Sequence, residues 1–399
     1  MRIVINGIGV AGPALGYWLC EAGHEVLLVE EAPRLRDGGY IIDFWGTGYD
    51  IAEQMGIIGE VRALGYQVRD VRFVDREGRT RGGFNVDVFR RMTHGRFTSV
   101  RRSDLSAAMY RAIEGRVETI FGDSVARIED DGRRVRVGFD HAAERDVDLV
   151  IGADGLHSRV RRLAFGPDTE FAIPLGYHVA AFEADGYPTR EELVFTSHNQ
   201  PGWQISRFSM RDDKTLFLFI FRDELMGDRD EPPASILRRV FAGAGWEWPQ
   251  IEAALGRATD IYFDSVSQVR MSHWTKGRVA LVGDAAACVS LMAGEGTGLA
   301  ITEAYVLAGE LRDCSGDHET AFARYEQRLM PYLQKKQRTA QKFASAFAPR
   351  TSLGIAFRDL VTRLLRVPIV ADWVIGRDLR NELVLPTYAP SRSYPTGAR

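Results

Sequence analysis

Lysine is absent from the first half of this 399-residue chain: the first is Lys214, and nearly all of the 51 basic residues are arginine. Cysteine is scarce as well. Cys20, Cys288 and Cys314 are too few and too scattered for a disulfide framework and form no C-x-x-C pair, so reduced thiols are expected. No basic excess exists: the formal net charge is −3, without the footprint that neutralising many phosphates needs, which argues against a nucleic-acid partner. No apolar run is fit to cross a bilayer. The stretch 353–375 carries Arg358, Asp359, Arg363, Arg366 and Asp372, and the apolar residues 1–20 are broken by four glycines and a proline and lack a basic n-region. Neither a membrane span nor a signal peptide is expected, and the location expected is cytoplasmic. The eight histidines show no H-x-x-x-H or H-x-H spacing and no cysteine partners, which excludes the common metal sites. No serine lies in a G-x-S-x-G elbow, so serine hydrolysis has no foundation. What remains, with 45% hydrophobic and 26% charged residues, is a globular chain long enough for two or three domains.

Patterning alternates between two kinds of structure. Arg2 to Asn6 reads as a buried strand, followed by a glycine-rich turn, a helix from about Pro13 to Ala22 and a strand Glu25 to Glu30, a βαβ opening. A helical segment is expected near Tyr49 to Met55. From Val68 to Val100 short alternating runs, such as Val71 to Val74 and Gly83 to Phe89, read as antiparallel strands. Ser103 to Ile113 returns to helical spacing, with Ser103 as N-cap. A hairpin around Asp130-Asp131-Gly132 leads to the apolar strand Val147 to Ile151. Residues 171–268 are β-rich, interrupted by one helix, Pro233 to Ala242. Strand Arg278 to Val282 and helix Gly298 to Arg312 bring back the α/β pattern, and from His318 the chain is helical with breaks at Pro349 and Pro368. No repeat or low-complexity linker occurs. The expected fold class is α/β: a Rossmann-like domain (1–70, 101–170 and 271–317) interleaved with an antiparallel β-sheet domain (71–100 and 171–270), plus C-terminal helices (318–399).

Gly7-Ile8-Gly9-Val10-Ala11-Gly12 is a G-x-G-x-x-G between strand and helix, with Glu30 closing the next strand. Gly7 permits the tight turn, Gly9 lets a pyrophosphate approach the backbone, and Gly12 lets helix and strand pack closely. The helix N-terminus faces the phosphates, and Glu30 can accept from a ribose hydroxyl. This motif alone does not separate FAD from NAD.

Two later segments do. Leu149-Val-Ile-Gly-Ala-Asp154-Gly-Leu-His-Ser-Arg-Val-Arg161, and Arg278-Val-Ala-Leu-Val-Gly-Asp284-Ala-Ala-Ala287 through Gly294-Glu-Gly296-Thr297-Gly298, resemble the DG and GD motifs of the flavoprotein aromatic hydroxylases, whose best-known member is p-hydroxybenzoate hydroxylase. Gly39 to Asp43, Val100 to Leu105, Trp274 to Val279 and Tyr305 to Leu311 are similar to the tetracycline-inactivating flavin monooxygenases. The resemblance implies FAD as cofactor. On matching positions it puts Asp284 at the flavin ribityl or pyrophosphate, Arg102 at the phosphate or ribityl region and Asp43 near the isoalloxazine. Arg36 would reach FAD or the nicotinamide cofactor, and Asp154 is implicated in both. Val10, Ala11, Glu31, Val125 and the loop Gly294, Gly296, Thr297 and Gly298 complete the implied cofactor set. The chain departs from the family's usual pattern at Ala287, Ser290, Leu291, Glu295 and Glu31, which alters the rim of the flavin pocket.

The same resemblance implies that NADPH or NADH binds transiently, delivers hydride to the flavin and leaves. A flavin C4a-hydroperoxide then hydroxylates an aromatic or polyketide-like small molecule with O2 as the oxygen source, and no side-chain acid or base is strictly required. A flavin oxidoreductase that does not hydroxylate and a drug-sequestering protein with a degenerate flavin site are the alternatives, and a monomer or homodimer is expected. The β-rich segment would roof the flavin, with His178, Phe182, Phe195, His198, Gln204, Arg207, Phe219 and Met292 as candidate substrate lining. Strand alternation turns only half of such a set inward. The absence of an early lysine counts against halogenation, and Trp246 and Trp248 read as core tryptophans. Cys288, in the loop beside Asp284, reads as a small buried filler.

Overall fold

Three separate stretches of the chain assemble one six-stranded sheet. Its order is Thr275–Lys276, Val279–Leu281, Leu149–Gly152, Arg2–Asn6, Glu25–Glu30 and Glu118–Phe121, parallel except for the first strand. The computed structural model describes residues 1–36, 39–189, 191–291, 294–364 and 383–388, the side chains of 342–347 and 364 excepted. Ile3, Val4 and Ile5 are buried on both faces, as a parallel strand covered by helices must be. Ala11–Glu21 and Gly296–Asp313 pack against each other over the sheet, and His318–Phe347 packs on the latter, running through Pro331. Successive connections leave the central strand Arg2–Asn6 toward opposite edges, so the crevice at its C-terminal end is where an open α/β sheet accepts a ligand.

The second sheet has seven strands, in the order Tyr262–Val269, Ala172–Asp185, Lys214–Arg222, Trp203–Ser209, Val194–Gln200, Asp70–Val74 and Thr80–Asn85. All neighbours are antiparallel except Val194–Gln200 with Asp70–Val74. One face carries Phe182, Ile205, Phe217, Phe219 and Phe221 against the helices Pro233–Val240 and Trp248–Leu255. The other presents Ala181, Phe208, Leu216 and Leu218 to Tyr40, Ile41, Trp45 and Phe97 of the first domain. A two-stranded ribbon, Ile41–Trp45 with Phe97–Arg101, joins the two bodies, and Arg101 reaches Glu183 of the second sheet at 2.8 Å.

Three expectations change, and a fourth cannot be compared. Gly83 to Phe89 is not one strand: the strand ends at Asn85 and a helix, Asp87–Met92, follows, with Asp87 in its first turn paired to Arg90. Ser103 is not an N-cap. The helix starts one residue earlier, at Arg102, whose backbone N–H donates to Tyr40 O, and no side chain caps it. The helix expected over Pro233 to Ala242 is followed by a second, Trp248–Leu255, opened by Pro249 in its first turn. Pro368 lies outside the described residues.

Candidate cofactor site

The glycine loop is shaped by what lies behind it. Gly7 has φ +108°, and a Cβ there would lie 2.5 Å from Ala153 O; a Cβ on Gly12 would lie 2.0 Å from Gly7 O. Strand, loop and helix therefore meet at a distance only glycine permits. Gly9 is the opposite case: the nearest atom to a Cβ there is an Arg102 guanidinium nitrogen at 4.0 Å, so its open side faces that arginine. The helix that follows has no side-chain cap at Val10 and begins at Ala11, which leaves its first N–H groups for an anion. Ser106 Oγ donates to Ile8 O and Gly9 O and pins the loop from the neighbouring helix.

Glu30 is buried at the end of its strand. Its carboxylate accepts from Ile8 N–H at 2.8 Å and Ala32 N–H at 3.1 Å, and exposed Arg36 approaches it at 3.5 Å. One carboxylate thus ties the loop to the strand end and keeps lone pairs for a ribose. Glu31 points to solvent.

Arg102 stands in a cleft with Tyr40, Tyr262, Asp284 and Cys288 around it. Burial works against its charge and is outweighed by these neighbours, so the guanidinium is held firmly cationic. Among the described residues its guanidinium makes no ion pair. Asp284, across the cleft, opens the short helix Asp284–Ala287, and a Cβ on Gly296 would lie 3.8 Å from its Oδ1. Tyr40 and Tyr262 meet with ring centroids 5.9 Å apart, and burial pushes the Tyr262 phenol up. Burial also raises the Asp43 carboxyl, against a hydrogen bond donated by Ser99 Oγ at 2.6 Å. Cys288 is buried beside Asp284, its thiol pushed well up by burial, and its Sγ lies 3.6 Å from Ser267 O.

The GD loop is held from below by Glu303, a fully enclosed acid that accepts Gly283 N–H at 2.7 Å and Tyr325 O–H at 3.2 Å. Burial pushes its carboxyl well above the ordinary range. Glu303 escaped the sequence reading, although an acid inside the apolar run 299–311 was a usable signal. Gly294 has φ +66°, and Gly296, Thr297 and Gly298 form the first turn of a helix with no side-chain cap. A Cβ on Gly48 would lie 2.5 Å from Gly298 Cα, so two helices touch backbone to backbone there.

Asp154 occupies a different place from the rest of the set. Its oxygens accept from Asn6 Nδ2, Ser158 Oγ and the N–H groups of Arg159 and Val160, so it ties the central strand to the helix Arg159–Ala164. Val125 is buried, and its N–H donates to Asn6 Oδ1. Both carboxylate oxygens of Asp154 are thus engaged within the fold.

The substrate candidates separate by face. Phe195 and Gln204 lie on the face turned to the cofactor domain: Phe195 packs with Phe208, and Gln204 joins Asn199 and Ser206 in a buried polar row. Five candidates are corrected. Phe182 and Phe219 sit in the outer aromatic core, and His178 stacks on Phe221 and Phe263 with Nε2 2.7 Å from Asp223. Arg207 pairs with Glu191 and Glu247 on that same outer side, where His198 also lies, 6.1 Å from Trp246. Alternation along each strand is the reason: Phe217, Phe219 and Phe221 point out while Leu216, Leu218 and Ile220 point in. Met292 lies outside the described residues. Val179, Ile220 and Val266, with Leu291 of the GD loop beside them, form the inner patch that sequence reading missed.

These features fit FAD: an unpaired guanidinium beside an open glycine, two uncapped helix starts and a buried ribose acid converge on one crevice. No helix among the described residues is long and apolar enough to cross a membrane, and no group of histidines, cysteines and acids among them could hold a metal. The FAD binding domain family matches residues 1–340. An uncharacterized protein of Mycobacterium tuberculosis is 38% identical, the match covering 84% of this chain and 91% of that protein. A flavin-dependent monooxygenase of Legionella longbeachae is 31% identical over 98% of this chain and 99% of its own. The crystal structure of the tetracycline destructase Tet(51) superposes with a TM-score of 0.81 at 33% identity, covering 97% of this chain and 99% of the other. Fold, site and relatives agree, and the chain belongs to the FAD-dependent monooxygenases, the family of the tetracycline destructases.

Proposed function

We propose that this protein uses NADPH or NADH and O2 to hydroxylate an aromatic or polyketide-like small molecule in the cytoplasm. The observation that carries the reading is the position of the unpaired Arg102 guanidinium, between the open Gly9 loop and Asp284 and near Tyr262 of the second sheet. Arg102 and the N-terminus of Ala11–Glu21 would bind the pyrophosphate, Glu30 the adenosine ribose and Asp284 the ribityl chain. The N–H groups at Gly296 and Thr297 would stabilise negative charge on a reduced isoalloxazine, with Asp43 at its other side. When bound, the flavin supplies hydride acceptance and the transfer of one oxygen atom of O2 to an electron-rich carbon. Val179, Leu218, Ile220 and Val266 would exclude water and hold the substrate ring, and Gln204 and Arg222 bound that apolar patch with polar groups.

Purified protein is expected to be yellow and to oxidise NADPH faster when a phenol, anthraquinone or tetracycline is added, with matching oxygen uptake. Colourless protein that FAD cannot reconstitute overturns the reading. Stimulated NADPH oxidation without oxygen incorporated into product replaces hydroxylation by reduction alone.

A further inference from the structure

A second cavity, of about 420 Å³, opens on the outer face of the seven-stranded sheet, behind the strands whose inner face meets the cofactor domain. That volume lies within the range of small-molecule sites. Its floor is a cross-strand row, Arg72, Thr196 and Arg207, brought side by side by the pairing of three strands. Glu191 bridges both guanidiniums, at 2.7 Å from Arg72 and 3.0 Å from Arg207. Arg207 is nearly fully buried, a costly place for a cation unless its surroundings are built for charge. It also faces Glu247 at 3.3 Å and lies under the Trp246 ring at 6.0 Å.

The rim supplies what the floor has already used. Arg76 is exposed and, among the described residues, makes no ion pair. Its stem is wedged against Gly245, and its carbonyl accepts Trp246 N–H at 2.6 Å, so the two residues are held together on the lining of one cavity. Trp246 adopts φ +49°, an unfavourable conformation for a bulky residue that the surrounding contacts must hold. The other rim acid, Glu77, is taken by Arg79 at 2.7 Å on the solvent side. Among the described residues the cavity is lined by three guanidiniums and three carboxylates, and Arg76 is the guanidinium left without an ion pair, beside the Trp246 ring and an apolar wall at Val74.

We infer that this cavity is a binding site for an aromatic carboxylate, its ring on Trp246 and its carboxylate on Arg76. The site is separate from the flavin cleft, since the sheet stands between them, and it does not depend on which substrate is hydroxylated. A bidentate guanidinium–carboxylate pair supplies the charge recognition, and the indole face supplies the selectivity for a flat ring.

The test uses FAD-loaded protein and two probes, 1-naphthoate and its neutral counterpart 1-naphthamide. Calorimetric titration should give saturable naphthoate binding, weakened about tenfold or more by Arg76→Gln and by removal of the probe's charge. The visible flavin spectrum should stay unchanged at saturation, and the tryptophan quenching that accompanies binding should shrink in Trp246→Phe. Because Arg76 is exposed and unpaired, Arg76→Gln should keep the melting temperature of the parent; the amide probe tests the charge requirement without any substitution. Absence of saturable naphthoate binding at millimolar concentration overturns the inference. Binding indifferent to Arg76→Gln, or binding that perturbs the flavin spectrum, also overturns it and moves the ligand to the flavin side.

Discussion

The two sheets use their residues differently. Around the six-stranded sheet the atoms proposed to hold the cofactor are mostly backbone: loop N–H groups, helix starts and close approaches that glycine alone permits, with Glu30, Arg102 and Asp284 as the side chains added. In the seven-stranded sheet the backbone is a plain antiparallel ladder, and everything specific is carried by which face a side chain joins. The first region has one tolerated sequence pattern per geometry. The second admits many sequences for the same geometry, which suits a wall that must be fitted to a substrate.

That contrast is broken most severely at the glycines. Gly12→Ala drives a methyl into Gly7 O, and a loss of more than about 4 kcal/mol or colourless protein is expected, read by thermal unfolding and flavin absorbance. A variant as yellow and as stable as the parent would show that strand and helix can separate. Next come neighbours on one strand. Phe219→Ala should cost about 3–5 kcal/mol while leaving the substrate KM within about twofold, whereas Ile220→Ala should cost about 2–5 kcal/mol and raise KM as well. Equal effects on KM would erase the distinction between faces. Arg102→Ala should weaken FAD by about ten- to a hundredfold, the worth of a charged hydrogen bond, yet leave the apoprotein's melting temperature nearly unchanged because the side chain has no ion pair to lose. Equilibrium titration of apoprotein with FAD separates the two readouts.

The smallest effect is a pH dependence. The folded-state pKa of Glu303 is raised, so its contribution to stability is complete below the ordinary carboxyl value of 4.5 and is lost as pH climbs toward the raised value. Glu303→Gln cannot ionise and still accepts from Gly283, so it should flatten the fall in melting temperature as pH rises above the ordinary carboxyl value. Parallel curves for parent and variant would remove Glu303 from the linkage.

Legibility follows the same division. The spacing Gly7, Gly9, Gly12 and Glu30 could be read directly because a phosphate-binding turn demands those residue types at those distances, and Asp284 and Arg102 follow from the family resemblance. Asp154 belongs to a motif just as legible, yet all its visible partners are structural donors, since a motif names a residue without saying which atoms it will satisfy. Ser106 and Tyr262 were not legible: each matters through a partner far away in the chain.

By itself the sequence determined the strand, glycine loop and helix of the opening and the alternation of α/β and β-rich stretches, because glycine spacing and hydrophobic period are local constraints that survive without knowledge of the rest; the class of cofactor came from the resemblance of the DG and GD motifs. Only the tertiary structure decided which side of the second sheet faces the flavin. Alternation along a strand has two equivalent phases, and both faces of this sheet are buried, one by aromatic residues under two helices and the other by the cofactor domain. With no polar face to mark the outside, the choice between Phe219 and Ile220 rests on packing between distant segments.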